Sequence, residues 1–134
     1  MIVDTGILYA LADRSDRHHR AARTIFCSRE TRIVPEPIVT ETAWIILDRL
    51  GVDAEIAFLR SLSERSFAIE TPTRADRTRA AELVVRYRDA EIGYVDAVTV
   101  AIAERLREGR VATLDRRHFS LITPQHVAAF EIVP

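Results

Sequence analysis

Four acidic residues stand where a short α/β chain could gather carboxylates, and together they are named the acidic rim: Asp4, Glu41, Asp96 and Asp115. Carboxylate oxygens without cysteine or paired histidine ligands suit Mg²⁺ or Mn²⁺ at an open site. Two carboxylates about 5 Å apart repel each other by roughly 3 kcal/mol at an effective dielectric constant near 20. A cluster of four therefore needs a compensating cation, and we predict one divalent-metal site.

The four positions differ in how strongly they indicate function. Asp4 and Asp115 each follow a short apolar run, where an acid is unusual because Asp is depleted in strands. Glu41 and Asp96 stand near predicted helix starts, where an acid also stabilises the helix dipole by about 0.3–1 kcal/mol. Position alone therefore favours a functional role for Asp4 and Asp115 more strongly than for Glu41 and Asp96.

Strand patterns alternate with helix patterns along the whole chain. The apolar runs predict strands at 1–3, 32–34, 67–69, 110–114 and 130–133. The helical spacing of apolar residues predicts helices at 6–12, 38–50, 53–63, 73–87, 94–107 and 115–119, with another that begins at an Asp16 cap. This order predicts an α/β/α sandwich around a mainly parallel sheet of about four or five strands. Because strand ends and helix starts share one edge of such a sheet, the acidic rim can form there.

Composition limits the function classes. The 134 residues, 48% of them hydrophobic, fit one domain spanning 1–134 with a core of its own. All 19 basic residues are arginines, and the absence of lysine excludes a P-loop and Schiff-base chemistry. The single cysteine, Cys27, is expected on the buried face of a helix and favours a reducing compartment. No apolar run is long enough to cross a membrane, so we expect a cytoplasmic protein without a membrane partner.

Four motifs in order resemble the acidic motifs of the PIN domain, and most closely those of the VapC toxins of toxin–antitoxin pairs. They are Ile-Val-Asp-Thr-Gly at 2–6, Thr-Glu at 40–41, Tyr-Val-Asp-Ala-Val at 94–98 and Ala-Thr-Leu-Asp-Arg-Arg-His-Phe at 112–119. The resemblance implies a Mg²⁺- or Mn²⁺-dependent endoribonuclease that hydrolyses RNA with a metal-activated water. One departure is Gly6, where the family more often has serine or asparagine.

The resemblance also implies roles for individual residues. Asp4 and Asp96 would be the principal metal ligands, and Glu41 and Asp115 would complete the shell directly or through water. Thr113 is expected to hold a ligand or a water, although an ordinary strand threonine explains it equally well.

Partners are implied by the same resemblance. Arg116 and Arg117 are adjacent to the last acid and are candidates for binding RNA phosphates, and Arg14, Arg17 and Arg20 could extend that surface. A cognate, VapB-like antitoxin is expected to bind at the acidic rim. A homodimer is expected through the apolar stretches 39–50 and 53–62.

Two other functions fit parts of the pattern. A catalytically silent PIN-like module would bind RNA or protein without cleaving, although a pure binder gains nothing from repelling carboxylates. A phosphohydrolase with an aspartate nucleophile also carries an acid after its first strand. It typically needs a second acid two residues later, where this chain has Gly6, and usually a lysine.

Overall fold

A parallel five-stranded sheet forms the centre of the fold, as the alternating pattern predicted. A computed structural model describes residues 1–28, 30–63 and 67–134. The sheet has the order β3-β2-β1-β4-β5. Its strands are β1 (Ile2–Val3), β2 (Ile33–Pro35), β3 (Ala68–Glu70), β4 (Arg110–Ala112) and β5 (Glu131–Val133).

Helices cover both faces of this sheet, which confirms the predicted α/β/α sandwich. They are α1 (Thr5–Ala12), α2 (His19–Cys27), α3 (Glu36–Leu50), α4 (Val52–Leu62), α5 (Arg74–Arg86), α6 (Tyr94–Leu106) and α7 (Arg116–Leu121), with a 3₁₀ turn at Arg88–Ala90. Within the described ranges, no helix has the length and apolar character needed to cross a membrane.

Strand β1 lies at the middle of the sheet and separates two apolar cores. Val3 packs into the core formed with α1, α2, α3 and α4, whereas Ile2 packs into the core formed with α5, α6 and α7. Both side chains are fully buried, because successive strand residues point to opposite faces. Sheet order reverses at β1, which pairs with β2 on one side and β4 on the other. Such a switch point is where open α/β sheets place their ligands.

Several predicted element ends were wrong. Gly51 does end α3, with a φ of 86° that favours glycine. Gly109 is the residue that the sequence predicts to end the helix starting at Tyr94, but α6 ends at Leu106 and is followed by Arg107, with a φ of 54°. The cap of α2 is His18, and Asp16 instead accepts a hydrogen bond from the His18 backbone N–H at 2.7 Å.

Two burial predictions were also wrong. Cys27 is exposed, because it stands at the last position of α2 after the buried Ile25. The spacing of Val95, Val98, Ile102 and Leu106 predicts one apolar face for α6, yet every residue from 97 to 103 is buried. It lies between the sheet and α5, so small and β-branched residues are packed on all its sides.

Candidate active site

Asp4 leaves the sheet at the carboxyl end of β1. Its backbone N–H donates to the Ala112 carbonyl at 2.9 Å, and its side chain caps α1. One carboxylate oxygen accepts the Thr5 N–H at 2.8 Å, and the other accepts the Thr113 hydroxyl at 2.6 Å. Burial raises the pKa of Asp4 from 3.8 to about 6, although both hydrogen bonds act to lower it.

Glu41 lies in the second turn of α3, which follows directly from the end of β2. Its carboxylate accepts a hydrogen bond from the hydroxyl of Thr5, whose side chain is nearly buried. The negative charge of Glu41 adds to the upward shift of the Asp4 pKa. Helices α1 and α3 pack together, so Glu41 reaches the carboxyl end of β1 from the neighbouring helix.

Asp96 is the third residue of α6, and its side chain is 21% exposed. Burial raises the pKa of Asp96, and the nearby Asp115 charge adds to this effect. His118 opposes it, since its ring Nδ1 lies 2.9 Å from Asp96 Oδ2. Asp96 in turn raises the pKa of Asp4.

Asp115 is more open, with a side chain that is 48% exposed. It caps α7 by accepting the Arg117 N–H at 3.0 Å, and its other carboxylate oxygen lies 3.3 Å from His118 Nδ1. Its backbone N–H donates to the Thr113 hydroxyl at 2.9 Å. Thr113 therefore contacts two members of the acidic rim, Asp4 and Asp115.

The structure thus brings the four predicted acids to one edge of the sheet. In the described part of the chain, none of the four pairs with an arginine; their side-chain partners are Thr5, Thr113 and His118. Across these same ranges, no three His, Cys, Asp or Glu side chains already stand as a set that could hold a metal ion.

The chemistry of the donors nevertheless fits a hard divalent cation. The acidic rim supplies only carboxylate oxygens, and the raised pKa of Asp4 shows that its negative charge lacks sufficient compensation. A divalent cation would remove that cost by favouring the ionised form.

Two residues that the sequence patterns did not single out also take part. The hydroxyl of Thr5 holds Glu41, and the imidazole of His118 lies between Asp96 and Asp115. Thr5 directly follows Asp4, and His118 stands one helical turn after Asp115. This spacing in the sequence could have identified both residues as neighbours of the acids.

The two candidate phosphate-binding arginines differ in their contacts. The guanidinium of Arg116 donates to the backbone carbonyl of Pro134 at the end of the sheet. Arg117 is exposed, and among the described residues its guanidinium makes no ion pair or hydrogen bond. Arg117 is therefore the better placed of the two to contact an external anion.

Comparisons with known proteins identify the family of this chain and support its fold. The family model of the PIN domain matches residues 1–123. Ribonuclease VapC26 of Mycobacterium tuberculosis is 36% identical over 135 residues, covering 100% of both chains. The crystal structure of VapC20 from the same organism, described as a toxin that cleaves the sarcin–ricin loop, superposes with a TM-score of 0.81. It covers 87% of this chain and 91% of its own at 23% identity, and so supports the fold.

Proposed function

This chain belongs to the PIN-domain family as a ribonuclease of its VapC branch, and on that premise we propose how its acidic rim hydrolyses RNA. The function is that of an endoribonuclease toxin, dependent on Mg²⁺ or Mn²⁺, within a single domain of residues 1–134. The observation that carries the proposal is that four carboxylates lie at one edge of the sheet, with raised pKa values at Asp4 and Asp96. Buried carboxylates with raised pKa values do not stabilise the fold by themselves. At the carboxyl edge of a parallel sheet, where ligands bind, they favour a site for a cation and a phosphodiester.

Asp4 and Asp96 are the proposed principal metal ligands, with Glu41 and Asp115 completing the shell directly or through water. A divalent ion held by these carboxylates would activate a water as a Lewis acid and would neutralise charge on the phosphate. Thr113 holds the Asp4 carboxylate by its 2.6 Å hydrogen bond, and Thr5 holds Glu41. Glu41 or Asp115 would take the proton from the attacking water; among the described residues, the side-chain partner of Glu41 is the Thr5 hydroxyl.

RNA binding is proposed to use the basic residues beside the rim. The free guanidinium of Arg117 would contact a phosphate of the bound strand. Its neighbour Arg116 would act indirectly, by fastening the end of β5 to α7. With RNA as the substrate, we expect the protein to act in the cytoplasm.

A cleavage assay tests the proposed function. The purified chain would be incubated with transfer RNA, messenger RNA and a sarcin–ricin loop oligonucleotide, with Mg²⁺, with Mn²⁺ or with a chelator, and product ends would be mapped. We expect cleavage only with the metals. Binding without products under every condition would instead support a silent PIN-like module, and equal cleavage in the chelator would contradict the metal role.

A VapB-like antitoxin is proposed to inhibit the enzyme at the acidic rim. The uncompensated carboxylates would accept a basic side chain of the antitoxin in place of the cation. Addition of the cognate antitoxin should therefore abolish cleavage and weaken Mn²⁺ binding. Inhibition with unchanged Mn²⁺ binding would place the antitoxin elsewhere.

A homodimer is proposed through α3 and α4. Large apolar side chains on these helices are exposed, at Trp44, Leu47, Val52, Ile56 and Leu59, with Trp44 66% exposed. Sedimentation at tens of micromolar should give a dimer, and Trp44→Arg should shift the chain to a monomer. A wild-type chain that sediments only as a monomer would contradict this interface.

A further inference from the structure

His118 lies between two acids that come from separate elements. It is the third residue of α7, and its Nδ1 lies 2.9 Å from Asp96 Oδ2 and 3.3 Å from Asp115 Oδ2. Its side chain is 20% exposed, so the ring is largely enclosed by these neighbours. Asp96 belongs to α6, so this imidazole links the side chains of α6 and α7 at the rim.

The first turn of α7, which carries His118, is capped by Asp115 and followed by a buried aromatic residue. Asp115 caps it through the Arg117 N–H, and the next residue after His118, Phe119, is almost completely buried. Phe119 packs edge-on against Phe130, with ring centroids 6.1 Å apart. These contacts fix the backbone of α7 beside α6, where His118 Nδ1 lies 2.9 Å from Asp96 Oδ2.

Asp115 differs from the other acids because both of its carboxylate oxygens have partners within α7. One oxygen accepts the Arg117 N–H and the other faces His118 Nδ1. These contacts suit a residue that builds the helix start and orients the imidazole. Asp96, in contrast, has its side-chain hydrogen-bond partner, His118, on a different helix.

We propose that His118 is a positioning residue for the metal site: its Nδ1–H fixes the carboxylate of Asp96, and the contact of the same nitrogen with Asp115 at 3.3 Å helps to orient the ring. This inference rests on the proposed function, because it gives Asp96 the role of metal ligand. Outer partners of metal ligands orient the ligand, and their loss commonly costs about 10–100-fold in metal affinity or activity.

Three substitutions of His118 test whether a hydrogen-bond donor must lie at the position of Nδ1. The amide nitrogen of His118→Asn occupies nearly the place of Nδ1, whereas the amide of His118→Gln reaches toward the place of Nε2. His118→Leu removes the donor but keeps an apolar side chain above the buried Phe119. Thermal unfolding would show that all three variants are folded.

Mn²⁺ binding, measured by calorimetry without RNA, is the main test. We expect His118→Asn to bind Mn²⁺ within about threefold of the wild type, and the Gln and Leu variants to bind about 10–100-fold more weakly. Equal affinity in the wild type and His118→Leu would overturn the proposal. Equal losses in all three variants would also overturn it, because a correctly placed donor would then give no rescue.

Two further measurements distinguish positioning from direct roles. Nitrogen coupling in the electron paramagnetic resonance spectrum of bound Mn²⁺ would make His118 itself a ligand, against the proposal. In cleavage assays, His118→Gln should raise the Mn²⁺ concentration for half-maximal rate while leaving KM for RNA unchanged at saturating metal. A change only in KM for RNA would assign His118 to substrate contact.

The calorimetric result does not depend on cleavage. If Mn²⁺ binds and follows the order wild type, Asn, then Gln and Leu, while no RNA is cut, the ribonuclease proposal fails and the role of His118 stands. If cleavage depends on the metal but neither cleavage nor Mn²⁺ binding depends on His118, the ribonuclease proposal stands and the role of His118 fails.

Discussion

Two carboxylate-rich regions of this molecule are compensated in opposite ways. Between α5 and α6, an ion-pair cluster joins Asp76 to Arg105 at 2.9 Å and Glu104 to Arg79 at 2.8 Å. The Asp76 and Glu104 side chains are only 3% and 8% exposed. At the acidic rim, the described residues supply two threonines and a histidine in place of arginines.

The pKa shifts follow from this difference. Burial acts to raise the pKa of Asp76, but hydrogen bonds from Thr73 and the charge of Arg105 outweigh it, and the net pKa is lowered. The pKa of Asp4 is raised to about 6, because its hydroxyl and backbone partners do not outweigh burial and its acidic neighbours. The charges of one cluster therefore compensate each other, whereas the other cluster is the proposed site of an exchangeable cation.

Removing a rim charge should have the largest effect. We expect Asp96→Asn and Asp4→Asn to lower Mg²⁺-dependent cleavage by about 10³-fold or more, since the metal contributes several kcal/mol to transition-state stabilisation. Circular dichroism should show an unchanged fold. The exposed Glu82→Gln is a matched charge control and should retain activity; undiminished cleavage by both rim variants would refute the assignment.

The stability of the metal-free protein should depend on the ionisation of Asp4. Its folded pKa lies above the ordinary value, so its contribution to stability is present at low pH and is lost as pH rises from about 4 through about 6. The loss is on the order of 3 kcal/mol. Urea unfolding across this pH range, with and without Mn²⁺, measures it. Asp4→Asn should remove this dependence, and the same slope in that variant would show that another group is responsible.

Removing Asp76 should affect stability rather than activity. Asp76→Ala breaks the capping box with Thr73 and leaves Arg105 without one of its carboxylates, at a cost of about 2 kcal/mol. Chemical denaturation measures the change. Because the Asp76 pKa is lowered, this contribution is fully present above the ordinary pKa and is lost as pH falls from there through the lowered pKa of the folded state. The cleavage rate per folded molecule should equal that of the wild type. A loss of cleavage comparable to that of Asp96→Asn would contradict the inference that the Asp76 region is structural and the acidic rim catalytic.

The smallest expected effect concerns the two neighbouring arginines. Arg117→Gln should weaken RNA binding in a chelator about fivefold and reduce the slope of log affinity against log salt by about 0.7, as for one lost phosphate contact. Arg116→Gln should change affinity less than about twofold, because its guanidinium is bound to the Pro134 carbonyl. Fluorescence anisotropy with labelled single-stranded RNA gives both values. Equal effects of the two substitutions would contradict the inferred division.

Much of the architecture was predictable from local patterns. The apolar run before Asp4, the helical spacing before Gly51 and the alternation of elements predicted a parallel sandwich, which the structure confirms. The ends of the elements were less predictable. Arg107 follows α6 with a positive φ, and Asp16 accepts a hydrogen bond from His18 just before α2; both features depend on local geometry rather than on residue type.

The sequence by itself determined which carboxylates stand at strand ends and helix starts, because periodicity and strand direction fix the edge that each one reaches. Only the tertiary structure decided what surrounds them. Thr113 and Asp4 are 109 residues apart, and Asp96 and His118 are 22 apart, yet each pair is hydrogen-bonded. Hydrogen bonds and burial depend on distances in space, so the raised pKa of Asp4 and the position of His118 became visible only once the strands and helices were packed.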